Sequence, residues 1–277
     1  MTESSGKIRY HGNCHCGKYR FELLMPEITS GMECTCRQCK KKGYRWVAVS
    51  GDSLTVVKDD GSLRDYNSGV LIDKFCQSCG NGVTGVHSSG PLKGQTLVNI
   101  NLLMELNPFK VGATTVNTDE SKPSLPALPT ADSPAVQHGS CTCGQVRIET
   151  LYRVQDKQIK SDNCSLCSRL AFVGSYETKD VVRIHGKENT FEYLWNAKMG
   201  GPAMCKTCGV YMFWRIYGPP ISFFDKLPPE RLPIVMDNYA KNMNVQPVSV
   251  RMLDDVEMET LKIDHDDCGT EGYTLDN

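Results

Sequence analysis

The sequence contains a cysteine pattern that occurs twice. Residues 11–17 read H-G-N-C-H-C-G, and residues 138–144 read H-G-S-C-T-C-G, 127 positions further on. Two more cysteine groups follow each copy in the same order, and the offset between the copies only grows to 129 residues. We therefore predict a tandem duplication, and a length of 277 residues agrees with two domains.

The second and third cysteine groups of each copy indicate that the cysteines bind metal. In the first copy they are Cys34, Cys36, Cys39 and then Cys76, Cys79; in the second they are Asp162, Cys164, Cys167 and then Cys205, Cys208. The N-terminus has no apolar segment of the kind found in secretory signals, so we expect a reducing compartment. Clustered thiols in such a compartment are typical of metal ligands, whereas a disulfide scaffold would need secretion and a much shorter chain.

The first and third groups of each copy are predicted to form closed structural zinc sites. Cys76 and Cys79 precede Gly80, which permits the positive φ of a zinc knuckle. A knuckle supplies two ligands, and Cys14 and Cys16, expected on one face of a strand, supply the other two. The second copy repeats this arrangement with four cysteines: Cys141, Cys143, Cys205 and Cys208.

The middle group of the first copy has a different pattern. Cys34, Cys36 and Cys39 offer three thiolates, and three protein ligands with one vacant position are typical of a catalytic zinc. The alternative is that His11, His15 or a local acid completes a second structural site. An open site with three thiolates would hold an entering thiol as thiolate, which favours thiol–aldehyde chemistry over hydrolysis.

Basic residues follow the middle group directly. The side chains of Lys40, Lys41, Lys42 and Arg45 would attract an anionic thiol such as glutathione. The alternative is a solvated loop.

Alternation of apolar and polar residues predicts a mainly β protein. We place a first domain at 8–111, a Pro/Ser/Thr-rich linker at 112–137, a second domain at 138–263 and an acidic tail at 264–277. An insertion at about 217–240 could wall a pocket, although covering an edge strand is favoured. The tail, which includes Asp264, His265 and Cys268, could ligate a metal, but a solvated, frayed end is favoured.

Bulk properties argue against several classes of partner. The formal net charge is −1, whereas nucleic-acid-binding proteins normally carry an excess of basic residues. No run of ~18 apolar residues is present, so we expect no membrane span. We expect a cytoplasmic protein, with the nucleus as a second location.

The three cysteine groups together resemble those of the glutathione-dependent formaldehyde-activating enzyme family, which includes the centromere protein V-like proteins. The resemblance covers nearly the whole chain as two tandem copies. It implies a β-tent, Mss4-like fold and a zinc-dependent carbon–sulfur lyase that forms or breaks S-hydroxymethylglutathione. It also implies structural zinc at the paired groups and catalytic roles for Cys34, Cys36 and Cys39.

The second copy departs from this pattern because Asp162 stands where the first has Cys34. A carboxylate is a harder ligand than a thiolate, so we expect three tightly held zincs and a weak or absent fourth. The alternative is a remodelled centre in which Asp162 makes the zinc acidic enough to activate water. A non-catalytic, zinc-stapled binding protein is the competing class for the whole chain.

Overall fold

Both cysteine repeats fold into β-sheet domains with the same strand order. The computed structural model describes residues 6–120, 124–128, 133–269 and 273–275. The first domain contains the strands β1 (Ile8–Asn13), β2 (Tyr19–Met25), β3 (Ser30–Cys34), β4 (Trp46–Val49), β5 (Leu54–Asp59), β6 (Leu63–Asn67), β7 (Leu71–Cys76), β8 (Gly82–His87), β9 (Thr96–Asn99) and β10 (Gly112–Val116), and the helix α1 (Arg37–Lys42).

The second domain repeats these elements and adds one helix. It contains β11 (Gln137–Ser140), β12 (Arg147–Thr150), β13 (Ile159–Asp162), β14 (Val173–Thr178), β15 (Val182–His185), β16 (Thr190–Glu192), β17 (Gly200–Cys205), β18 (Tyr211–Ile216), β19 (Val245–Ser249) and β20 (Ile263–Asp266), with the helices α2 (Ser165–Leu170) and α3 (Leu232–Met243).

Each domain has one three-stranded and one seven-stranded sheet. In the first domain the orders are β1-β2-β5 and β10-β3-β4-β9-β8-β7-β6; in the second they are β11-β12-β15 and β20-β13-β14-β19-β18-β17-β16. The strands therefore correspond one to one, which confirms the mainly β class and the two similar halves. Alternate residues of these strands point inward, and the first core includes Phe21, Leu23 and Val98 around the thiols of Cys14 and Cys76.

The ends of both domains differ from the sequence-based boundaries. Residues 112–116, placed in the linker, form β10, which pairs in parallel with β3 and closes the large sheet. Before β10, the strand β9 is followed directly by a 3-10 helix at Ile100–Leu102. In the second domain, β20 lies parallel to β13, although its residues 264–266 were expected in a frayed tail. Strand pairing orders these polar segments despite their low apolar content.

Later tail residues pack against the first domain. The Tyr273 hydroxyl donates a hydrogen bond to the His15 carbonyl at 2.8 Å and accepts one from Asn13 Nδ2 at 2.7 Å. The Arg169 guanidinium lies 4.9 Å from the centre of the Tyr273 ring. Of the predicted tail, residues 270–272 and 276–277 lie outside the described part of the chain.

The insertion joins two interior strands of the large sheet. It contains a 3-10 helix at Ile221–Phe224 and then α3, whose residues are all at least partly exposed. These elements join β18 to β19, which are neighbours inside the large sheet, while the edges of that sheet are β16 and β20. At one of these edges the Tyr217 hydroxyl, at the start of the insertion, donates a hydrogen bond to Glu192 of β16, and the expectation of edge cover stays a prediction.

The middle cysteine groups lie on short helices that pack against the opposite domain. In α1, Lys41 Nζ donates to the Met252 carbonyl at 2.9 Å. In α2, Arg169 Nε donates to the Asn13 carbonyl at 2.9 Å. The contacts are reciprocal, so each middle group is held partly by its own domain and partly by the other.

Candidate metal centres

The paired groups assemble in both domains as predicted. The ligand atoms of Cys14, Cys16, Cys76 and Cys79 all lie within 4.8 Å of one another, and so do those of Cys141, Cys143, Cys205 and Cys208. The Sγ–Sγ distances are 3.6 Å for Cys14–Cys16 and for Cys16–Cys76. A tetrahedral zinc with bonds of ~2.3 Å would place its thiolates ~3.8 Å apart, so these four-thiol groups fit zinc.

Turns, rather than strands, position the Cys-x-Cys pairs. Cys14 follows β1, and the Gly17 N–H donates to the Cys14 carbonyl at 2.8 Å, with Gly17 at φ +71°. The prediction that both cysteines lie on a strand was wrong, because the chain reverses between β1 and β2 at this point. The turn nevertheless places the thiols of Cys14 and Cys16 beside those of Cys76 and Cys79.

The knuckles have the predicted geometry. The Gly80 N–H donates to the Cys76 carbonyl at 2.7 Å, and Gly80 has a φ of +77°. The Gly209 N–H makes the same contact with Cys205 at 2.9 Å, at φ +66°. Positive φ is inexpensive only for glycine, which explains the residue that follows each Cys-x-x-Cys.

The middle group of the first domain includes a histidine that the sequence analysis missed. Cys34, Cys36 and Cys39 form a group with His87, and all four residues are buried. His87 Nε2 lies 3.7 Å from Cys39 Sγ and 4.0 Å from Cys36 Sγ. Sulfur and nitrogen ligands of one tetrahedral zinc would lie ~3.6 Å apart, so three thiolates and this imidazole fit the metal.

The histidines considered from the sequence lie elsewhere. His11 is exposed and pairs with Glu105, with Nδ1 2.6 Å from Oε1. His15 is buried between Tyr193, 2.9 Å from its Nδ1, and Ser165, 3.1 Å from its Nε2. Burial, aided by the charge of Arg169, lowers the pKa of His15 to about 3, so the ring is neutral at pH 7. It supports the domain interface and is not a ligand.

His87 was identifiable in principle from strand periodicity. It ends β8, where Val83, Gly85 and His87 are the buried or inward alternate positions. No local motif links it to Cys39, which lies 48 residues earlier, so only the sheet brings the two together.

Nearby donors surround the thiols of this group. Trp46 Nε1 donates to Cys39 Sγ at 3.2 Å, and the Thr118 hydroxyl lies 3.3 Å from Cys34 Sγ. Hydrogen bonding from the Cys36 and Cys39 side chains holds the pKa of the Cys34 thiol well below its ordinary value. Burial raises the pKa of Cys39. Binding a metal would release the protons of the thiols that are still protonated.

The imidazole of His87 is not held by a second partner. Its Nδ1 is buried with no hydrogen-bond partner among the described residues. Ligating histidines normally donate their other ring N–H to a carboxylate or carbonyl, which fixes the ring. His87 is therefore the least firmly held of the four ligands.

The second middle group has fewer ligands. Asp162, Cys164 and Cys167 place their ligand atoms within 4.8 Å of one another, and each residue is half-buried. Asp162 Oδ1 accepts a hydrogen bond from the Cys164 N–H at 2.6 Å. In the first domain the equivalent bond runs from the Cys36 N–H to Cys34 Sγ at 3.4 Å.

The second middle group also lacks a counterpart of His87. Ile216 ends β18 as His87 ends β8, so no imidazole reaches the Asp162 group from that strand.

Both middle groups border one cavity between the domains. The cavity has a volume of about 670 Å³, and its walls include Cys34 and Cys39 from the first group and Asp162 and Cys167 from the second. Among the described residues, none of the eight cysteines in the paired groups lines it. The paired groups thus lie away from this cavity, whereas the middle groups adjoin a space large enough for a small molecule.

The basic residues near the first middle group are not a solvated loop. Lys40, Lys41 and Lys42 form the second half of α1, where Lys42 Nζ lies 3.4 Å from the buried Asp73 carboxylate and Lys41 Nζ lies 2.8 Å from Asp254. Lys40 is exposed at the cavity, with Glu257 4.0 Å away. Arg45 also lines the cavity and pairs with Glu33 at 2.7 Å.

No described helix is both long and apolar enough to cross a membrane. All fourteen cysteines are free thiols, which agrees with the metal-ligand interpretation.

Comparison with known proteins identifies the first domain. Residues 9–116 match the family model described as "Glutathione-dependent formaldehyde-activating enzyme", and the second domain lies outside that match. A crystal structure of a Rhodobacter sphaeroides protein is 22% identical, with 47% of this chain and 99% of that chain covered, at a TM-score of 0.34. The first of the two tandem domains therefore belongs to the glutathione-dependent formaldehyde-activating enzyme family.

Proposed function

We propose that this protein is a zinc-dependent carbon–sulfur lyase that acts on a thiol–aldehyde adduct of the S-hydroxymethylglutathione type. The observation that carries the proposal is that thiols of the first middle group line the interdomain cavity while those of the paired groups do not. Zinc held there would keep an entering thiol as thiolate at neutral pH. We assign the reaction to the first domain.

The residues of this centre account for the proton in such a reaction. When a thiol adds to an aldehyde, a carbon–sulfur bond forms, the carbonyl π bond breaks, and the thiol proton is transferred to the carbonyl oxygen. In the proposed reaction the entering thiol would take the place of His87 on the metal, and His87 Nε2, 3.7 Å from Cys39 Sγ, would then be the base that takes this proton and returns it to the oxygen. His87 Nδ1 has no hydrogen-bond partner among the described residues, so no bond at that atom opposes displacement of the ring.

The cavity also suits an anionic thiol. Glutathione carries two carboxylates and one ammonium group, and Lys40 and Arg45 line the cavity wall beside the first middle group. Lys40 is mostly exposed and its contact with Glu257 is long, so a substrate carboxylate can replace that acid at small cost. We propose that Lys40 and Arg45 bind the substrate. We also propose that the protein acts in the cytoplasm and that neither nucleic acid nor membrane is a partner.

The first test measures catalysis. Wild-type protein with full zinc content should accelerate exchange between glutathione plus formaldehyde and S-hydroxymethylglutathione, as followed by NMR exchange spectroscopy. Cys36→Ser should abolish the acceleration because it removes the central ligand, while Cys164→Ser, the matched change in the second domain, should preserve it. Either no acceleration by the zinc-loaded wild type or an undiminished rate in Cys36→Ser would refute the proposal.

A specific observation favours a second candidate function. His87 supplies a fourth protein ligand, and four buried ligands are typical of a structural zinc. In that case the first middle group would be a third structural zinc site, and the protein would be a non-catalytic binding module. The two functions differ in whether His87 is needed to retain the metal.

A further inference from the structure

The second middle group has a neighbouring thiol that the first does not have. Strand β20 lies parallel to β13 with Asp266 beside Asp162, as β10 lies parallel to β3 with Val116 beside Cys34. Cys268 follows β20 by two residues, just as Thr118 follows β10 by two residues. Cys268 and Thr118 therefore occupy corresponding positions.

The backbone hydrogen bonds at the strand ends agree with this register, and the next bond is made one residue later in the second domain, by Gly269 instead of Cys268. The Thr35 N–H donates to the Val116 carbonyl at 3.0 Å, and in the second domain the Asn163 N–H donates to the Asp266 carbonyl at 3.3 Å. Beyond the strand, the Thr118 N–H donates to Thr35 Oγ1 at 2.9 Å, and the Gly269 N–H donates to Asn163 Oδ1 at 2.6 Å. Each chain end is thus tied to the residue that follows the first ligand of its middle group.

This position touches the first ligand of the group. In the first domain, the Thr118 hydroxyl lies 3.3 Å from Cys34 Sγ. In the first domain the thiol belongs to the first ligand, Cys34, and the neighbouring strand end carries the hydroxyl of Thr118. In the second domain the first ligand is the carboxylate of Asp162, and the neighbouring strand end carries the thiol of Cys268.

We propose that Cys268 is a zinc ligand of the second middle group. With Asp162, Cys164 and Cys167 it completes a set of four ligands, three of them thiolates, and the thiol lost at position 162 is supplied from the neighbouring strand. Four ligands with three thiolates retain zinc better than two thiolates and a carboxylate.

The side chain of Cys268 is placed to make this change. It is exposed, and its Sγ lies 3.5 Å from Asp266 Oδ1 rather than within the group of three. An exposed side chain changes rotamer within nanoseconds, so leaving Asp266 requires no movement of the strand. Metal binding would fix the thiol beside the other three ligands.

The proposal changes the expected zinc content and is independent of the lyase activity. With Cys268 as a ligand, the protein should retain zinc at all four groups after mild chelation, whereas the sequence alone led us to expect three.

The experiment compares zinc content and ligand type in three full-length proteins. They are the wild type, Cys268→Ser and, as a surface control in the same segment, Lys262→Ser. Zinc per chain is measured after dialysis against a mild chelator. Cobalt is then substituted for zinc, and the thiolate-to-cobalt charge-transfer absorbance reports the number of sulfur ligands.

Cys268→Ser should lose one zinc per chain and the corresponding share of the charge-transfer band, with an unchanged circular dichroism spectrum. Lys262→Ser should match the wild type in both measurements. The proposal is overturned if Cys268→Ser keeps the zinc content and cobalt spectrum of the wild type, or if the wild type itself holds only three zincs.

Discussion

Ligand type distinguishes the four metal groups at the scale of single residues. Two groups consist of four thiols each, one of three thiols and an imidazole, and one of two thiols and a carboxylate. A thiolate binds zinc strongly and lowers its Lewis acidity, whereas a neutral imidazole is easier to displace by an entering thiol. His87 is therefore the residue on which the choice between enzyme and scaffold depends.

His87→Ala should leave zinc bound at the first middle group, because three thiolates remain and the lost imidazole lacked a partner at Nδ1. We expect a stability loss of about 1–3 kcal/mol, since a buried side chain is removed but an unsatisfied buried nitrogen goes with it. Zinc content and thermal unfolding measure both effects. Cys39→Ala is the matched control and should release the metal; equal zinc loss in the two variants would show that the group is a structural staple.

At the scale of elements, α1 and α2 meet at their C-terminal ends. Gly43, at φ +59°, ends α1, and Ala171, at φ 47°, ends α2. A Cβ added to Gly43 would lie 2.4 Å from the Cβ of Ala171. The interface therefore requires glycine at position 43 both for the backbone conformation and for space.

Gly43→Ala should destabilise the protein by about 2–5 kcal/mol, the sum of the left-handed backbone cost and overpacking. Gly51→Ala provides the control, because Gly51 has a φ of +52° but no atom within 4 Å of an added Cβ. That variant should lose only about 1–2 kcal/mol. Equal losses in denaturant titrations would mean that the contact between the helix ends does not constrain the domains.

Sequence predicted some of these elements much better than others. The paired cysteine groups were predictable because their glycines and spacing define turns that are complete within a few residues. The ordered tail was not, since the polar residues 264–266 are held by pairing with β13 and carry no apolar pattern of their own. His87 was missed for the same reason, because strand register, and not local spacing, places it beside its group. Cys268 was considered as a possible metal ligand, but a frayed tail was favoured.

At the scale of the whole molecule, the two domains support each other's metal groups. Gln38 Nε2 of α1 donates to the Cys208 carbonyl at 3.1 Å, so the helix of the first middle group contacts the knuckle of the second domain. Arg169 of α2 contacts Asn13, the residue before Cys14. Loss of one structural zinc should therefore weaken the opposite domain as well.

Cys76→Ser should yield unfolded or insoluble protein. Structural zinc contributes roughly 10–16 kcal/mol in small peptide systems, which equals or exceeds the ~5–15 kcal/mol stability of a typical domain. Cys268→Ser is the matched control because that cysteine is exposed and outside the paired groups, and it should fold normally. Normal thermal stability of Cys76→Ser would contradict a structural role for the Cys14–Cys16–Cys76–Cys79 group.

The central claim is that a substrate thiol binds the metal of the first middle group from the interdomain cavity. Titrating cobalt-substituted protein with glutathione tests it directly, because each added thiolate increases the thiolate-to-cobalt charge-transfer absorbance. We predict a saturable increase in the wild type and in Cys164→Ser, and none in Cys36→Ser. An unchanged spectrum in the wild type, or the same increase in Cys36→Ser, would contradict the claim.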